Sequence, residues 1–145
     1  ASDHRGYHLK EKVIFLLKSK GHEVSDEGPA SDASVDYPDF AALVARKVSC
    51  GIVERGVLIC GTGIGMCITA NKFPGVRAAP CPDEVTAELS RRHNDLNILC
   101  LSGDLLSSRV AEHVVEKWMT TEFEGGRHER RVEKILEIEK APKSC

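Results

Sequence analysis

The stretch Gly56-Val57-Leu58-Ile59-Cys60-Gly61-Thr62-Gly63-Ile64-Gly65-Met66 restricts the fold more than any other in the chain. Its apolar half reads as a buried strand, and glycines at three alternate positions read as a tight turn. A short helix is expected to resume over residues 66–72. Strand, glycine turn and helix together open a βαβ crossover, which calls for a parallel sheet covered on both faces.

The rest of the chain repeats that alternation. Leu9, Val13, Leu16 and Leu17 share one helical face, which predicts a helix over residues 7–19 with Gly21 as its stop. Residues 22–25 can be read as a strand, and Pro38 opens a helix to about Lys47. Strands are expected at 57–60, 76–81 and 97–101, and helices at 83–93, 107–121 and 127–140. The expected fold is an α/β three-layer sandwich around a parallel sheet, one domain over residues 1–145. Ala1-Ser2-Asp3-His4-Arg5-Gly6 reads as the loop after a strand, yet the sequence given has no strand ahead of it, where the pattern expects one.

Composition narrows the function classes. At 145 residues, 41% hydrophobic and 29% charged, the chain has globular composition. Its 20 basic and 22 acidic residues nearly cancel, so no global charge draws it to nucleic acid or an anionic membrane. No apolar run is long enough to span a bilayer and no signal peptide is visible, so a cytoplasmic location is expected. Six cysteines without CxxC or zinc-like spacing fit reduced thiols better than a disulfide framework.

Ligands of open α/β sheets bind beyond the carboxyl ends of the strands. The loops at Asp3-His4, Cys60–Gly65 and Ser102-Gly103-Asp104 should therefore converge on one crevice. Backbone N–H groups of the glycine loop can hold an oxyanion, although a tight turn alone would also explain the glycines. The loop is not a Walker sequence, since no Lys-Ser/Thr follows, and its GxGxG spacing is not GxGxxG. A Cys-x5-Arg phosphatase loop fails as well, because Met66 stands where the arginine would be.

Single residues are ambiguous. Cys60 is either a small buried hydrophobe or a nucleophile or base at the lip of the loop. His93 is either a solvated helix end or a titratable acid or base near neutral pH. Arg127 and Arg131, four apart at the start of the last helix, oppose its dipole unless an anion lies against them; otherwise they form an exposed basic turn balanced by Glu129 and Glu133. His4 and His8 share helical spacing, but no carboxylate completes a metal site, and none is assigned.

Taken in order, these segments resemble the type B ribose-5-phosphate isomerases, a family that includes galactose-6-phosphate isomerase subunits. The resemblance rests on Asp3-His4-x-Gly6, Val35-Asp36-Tyr37-Pro38, Leu58–Gly65, Ala70-Asn71-Lys72, Val76-Arg77-Ala78, Leu89–Asn97 and Gly125-Gly126-Arg127-His128-x-x-Arg131. It implies a flavodoxin-like sheet and an aldose–ketose isomerase of sugar phosphates. It also implies a homodimer, sometimes a tetramer, with active sites at the subunit interface and no metal or organic cofactor. By the match Cys60 is the base at C2, Thr62 assists proton movement, and the amides of Gly61, Gly63, Ile64 and Gly65 hold the enediolate oxygens. His93 opens the furanose ring with Asn94 beside it. Asp3 and His4 contact the sugar and phosphate end, Tyr37 lines the pocket, and Arg127 and Arg131 bind phosphate.

One departure stands out. The family usually carries Gly-x-Arg after the last strand, where this chain has Ser102-Gly103-Asp104, with Arg109 five residues on as a candidate replacement. The acid leaves open a six-carbon substrate or a noncatalytic sugar-phosphate-binding module. A phosphate-triggered receiver domain fits less well, since it would want aspartate at position 60.

Overall fold

Side chains alternate across the strands β1 (Gly56–Cys60) and β3 (Ile98–Ser102), and that alternation sorts the core into two halves. The computed structural model describes residues 1–141. Leu58 and Cys60 of β1 and Ile98 and Cys100 of β3 face one side, against α2 (Tyr37–Ser49) and α3 (Ile64–Ala70). Ile59, Leu99 and Leu101 face the other, against α1 (Tyr7–Ser19), α4 (Glu84–Asn94) and α5 (Ser108–Thr120). Both faces being covered explains why these strands read as near-continuous apolar runs. Leu58, Ile59, Ile98, Leu99 and Leu101 are fully buried, each worth about 1.5–3 kcal/mol.

β3 is the central strand, with β1 on one side and β2 (Ala78–Pro80) on the other, all parallel. Gly56 lies opposite Ile98 and Cys60 opposite Ser102, so both strands end together at one edge. Beyond β1, Ser2 bridges Ile59 in parallel, with Asp3 N–H on Ile59 O at 2.9 Å and Ile59 N–H on Ala1 O at 3.1 Å. The last helix, α6 (Arg127–Lys140), packs on α4. This is the expected α/β architecture with flavodoxin-like layering.

Three expectations change in detail. Residues 22–25 form no strand: His22 N–H turns back to Leu17 O at 3.0 Å at the end of α1, and Ser2 N–H bonds further on, to Gly28 O at 3.0 Å, which leaves 22–25 without a ladder. The strand at 76–81 shortens to 78–80 because Arg77 N–H goes to the Asn97 side chain and Val76 N–H to Phe73 O. The helix after the glycine loop starts at Ile64 and ends at Ala70, earlier at both ends than expected. Cys145 lies outside the described residues; the other five cysteines are free thiols. Among the described residues no helix is long and apolar enough to cross a membrane.

Candidate active site

Cys60 ends β1 with its side chain buried, 4% exposed, and its sulfur accepts the Gly63 N–H at 3.2 Å. That bond needs the loop to double back. Gly63 makes the turn with φ +78°, a left-handed conformation, and a Cβ there would also press Leu101 O at 3.1 Å. Thr62 is exposed beside it, its hydroxyl oxygen accepting the Ile64 N–H at 3.3 Å. Gly65 then lets the Tyr37 ring lie against α3, since a Cβ there would fall 2.6 Å from its Cζ. Tyr37 thus reaches the glycine loop from the start of α2.

The other two loops close on the same edge. Asp3 is buried, one carboxylate oxygen taking the N–H groups of Arg5 at 2.9 Å and Gly6 at 3.0 Å. Gly6 passes so close to β1 that a Cβ would lie 2.6 Å from Ile59 O. His4 accepts the Val35 N–H on Nδ1 at 3.4 Å. From β3, Ser102 Oγ donates to Gly61 O at 2.6 Å, and Gly103 N–H reaches Cys60 O at 2.8 Å. The three loops meet at the carboxyl edge of the sheet, as the strand order led us to expect.

His93, Asn94, Arg127 and Arg131 lie elsewhere. α4 is closed by Asp95, whose backbone turns left-handed at φ +47° and whose carboxylate bridges Arg91 and Arg77, each at 2.8 Å. The chain then enters β3 at its amino end, with Gly56 N–H bonded to Asn97 O at 2.9 Å. Asn94 is exposed beside this edge, its carbonyl taking Arg77 Nε–H at 3.0 Å. At 3.3 Å rise per residue, the Gly56 and Cys60 ends of β1 are about 13 Å apart. One chain therefore places Cys60 and His93 toward opposite ends of its sheet.

Around His93 the start of α6 supplies the partners. The His93 and His128 rings stack with centroids 4.2 Å apart and planes within 5°. Both present Nε2 to Glu124 Oε2, at 3.8 and 3.5 Å. Arg92 takes the other Glu124 oxygen and holds that carboxyl below its usual range. Burial lowers the pKa of His128, and its neighbours His93 and Arg127 add to the effect. Arg127 Nε–H points at His128 Nε2, 3.3 Å away, while Arg131 is exposed one helical turn on.

The ligand atoms of His93, Glu124 and His128 lie within 4.8 Å of one another, near enough to meet a metal ion. With Arg92 on Glu124 and Arg127 on His128, however, the local field favours an anion over a dication. Glu124 and His128 carry no role in the sequence reading. A carboxylate three residues upstream of an arginine pair is an ordinary surface pattern, and the stack forms only when α4 and α6 meet. Arg5 was likewise silent, one more charge in a loop.

An α/β protein with a thiol set in an anion-receptive glycine loop is the class these features define. The Ribose/Galactose Isomerase family model matches residues 1–135, and the chain belongs to that family. Ribose-5-phosphate isomerase B of Escherichia coli strain K12 is 44% identical over 137 residues, covering 94% of this chain and 92% of that protein. A ribose-5-phosphate isomerase B structure from Clostridium thermocellum superposes with TM-score 0.94 at 50% identity, covering 96% of this chain and 94% of that one. The Mycoplasma genitalium enzyme, solved with bound ribulose-5-phosphate, superposes with TM-score 0.94 at 46% identity, over 98% of this chain and 95% of that one.

Proposed function

We propose that this protein interconverts ribose 5-phosphate and ribulose 5-phosphate through a cis-enediolate. The observation that carries the reading is the placement of Cys60: a thiol ending a strand, inside a loop of backbone donors, in a family whose relatives are named for this reaction. As thiolate, Cys60 takes the proton from C2 and returns it to C1. The same face of a planar enediolate presents both carbons, so one base suffices. Amides of the 61–65 loop stabilise the oxygens where negative charge grows, those of Gly63 and Ile64 by turning to them from Cys60 Sγ and Thr62 Oγ1, and Thr62 moves the proton between them. No metal or organic cofactor is needed for such a transfer.

His93 opens the furanose ring, with Asn94 beside it, while Asp3 and His4 contact the sugar and phosphate end and Tyr37 lines the pocket. Arg127 and Arg131 hold the phosphate, which keeps a small flexible substrate in register. Because His93 and Cys60 sit toward opposite ends of one sheet, the reading requires two copies, each lending its His93 end to the other's Cys60 end. The helix α3 supports such a pairing: Ile64 and Ile68, four residues apart and 55% and 56% exposed, form an apolar face beside the loop. The working form is then a homodimer, or a tetramer built from it.

The test is turnover of ribose 5-phosphate by the wild-type chain and by Cys60→Ala. The variant should lose at least about 100-fold in kcat while still binding the substrate. Equal rates would remove Cys60 as base. Wild-type protein that leaves pentose phosphates untouched but converts a hexose 6-phosphate would move the reading to the six-carbon members of the family. Binding without turnover of either would leave a sugar-phosphate-binding module.

A further inference from the structure

At the lip of the glycine loop a basic and an acidic residue form a pair for which the mechanism above has no use. Arg5 Nε–H donates to Asp104 Oδ2 at 2.9 Å and Arg5 Nη2 lies 2.6 Å from the same oxygen. Both contacts are held against the loop itself. A Cβ on Gly61 would fall 2.8 Å from Asp104 Oδ2 and 2.9 Å from Arg5 Nε, so only glycine at 61 lets the pair lie there. The backbone on either side is pinned: Arg5 N–H by Asp3, Asp104 N–H by Gly61 O at 3.2 Å. Arg109 is exposed on α5 and has no polar contact among the described residues.

We propose that Arg5 is the phosphate-binding cation on the Cys60 side of the site, with Asp104 holding its guanidinium in position. The proposal rests on the isomerase reading for the identity of the substrate, though not for the anion. Guanidinium carries five N–H donors in a planar fork, and Asp104 engages only the Nε and Nη2 edge. Nη1 has no polar partner among the described residues, and the pair stays open to solvent, with Arg5 58% and Asp104 33% exposed. An ion pair that exposed is weak, so it aims the arginine without trapping it. A phosphate dianion accepts two parallel N–H bonds from the remaining edge, Nη1 and the second Nη2 hydrogen, while Asp104 keeps the Nε side. The acid at 104 thus does not make the corner anionic; it relocates the cation to residue 5.

Two readouts separate this from the isomerase reading. Inorganic phosphate binding by calorimetry tests the corner whether or not the protein turns over a sugar. KM and kcat for ribose 5-phosphate test its use in the reaction. Arg5→Ala should weaken inorganic phosphate and raise KM about tenfold, with kcat within about threefold, since the lost contact is made equally before and during the reaction. Adding Asp104→Arg to that variant should recover most of the loss by supplying the cation from the other side of the pair. Unchanged phosphate affinity and KM in Arg5→Ala would overturn the proposal, as would a loss confined to kcat. A loss that Asp104→Arg fails to recover would assign the pair a structural role and overturn it too. Wild-type protein that binds phosphate through Arg5 but converts no ribose 5-phosphate would sink the isomerase reading alone.

Discussion

His128 shows how one buried ring can report on a site it was not expected to join. Its imidazole is 5% exposed, stacked on His93 and shared with Glu124, and burial holds its pKa below the ordinary 6.5. The folded protein then takes up that proton less readily than the unfolded chain. Stability is complete above the unfolded value and falls as pH drops through it toward the lower folded one. Glu124 acts in a different window: Arg92 lowers its pKa, so its contribution is lost only as pH falls below the carboxylate range. In His128→Gln the imidazole penalty is gone. Melting curves from about pH 7.5 to 5.5 should therefore show the gap between wild type and variant narrowing on acidification. Parallel curves would place the acid sensitivity elsewhere. At this scale the sequence was legible where local chemistry decides, as at Cys60 and its glycines. It was illegible where two distant segments meet: nothing near Arg5 announces Asp104, and nothing near His128 announces His93.

The elements were read well where punctuation is strong. Asp83 follows Pro82 and caps α4, its carboxylate accepting the Thr86 N–H at 2.7 Å. That single bond starts the helix that delivers His93 and Asn94 to their edge. Asp83→Ala should lower Tm by roughly 2–4 °C, with the loss centred on α4 in amide exchange. A Tm unchanged in the variant would mean that packing of Ala87 and Ser90, not the cap, fixes the start of the helix. Where propensity was the only guide the reading slipped. Residues 22–25 carry one apolar side chain, Val24, and pair with no strand among the described residues; strand identity resides in the partner as much as in the segment. The same limit shortened β2, because an Asn97 side chain claimed the Arg77 N–H that a longer strand would have used.

The whole molecule explains why half of the proposed site faces away from the other half. β1 and β3 run parallel and in register, so everything entering the sheet, including the end of α4, is separated from everything leaving it by the length of the strands. A βα fold cannot bring an acid from the amino edge of its sheet to a base at the carboxyl edge within one chain, but two chains related by a twofold can exchange them. This has a consequence that separates a composite site from any arrangement confined to one chain. Cys60→Ala and His93→Asn should each be nearly inactive alone. Mixed by co-refolding, they pair at random, and half of the dimers contain one chain of each kind. In such a dimer one site combines both lesions and the other combines none, so the mixture should recover about a quarter of wild-type activity. Sites built within single chains would stay dead in every pairing, since each chain carries one lesion of its own. Recovery near a quarter would establish that Cys60 of one copy works with His93 of the next, and no recovery from a mixture shown to contain mixed dimers would refute it.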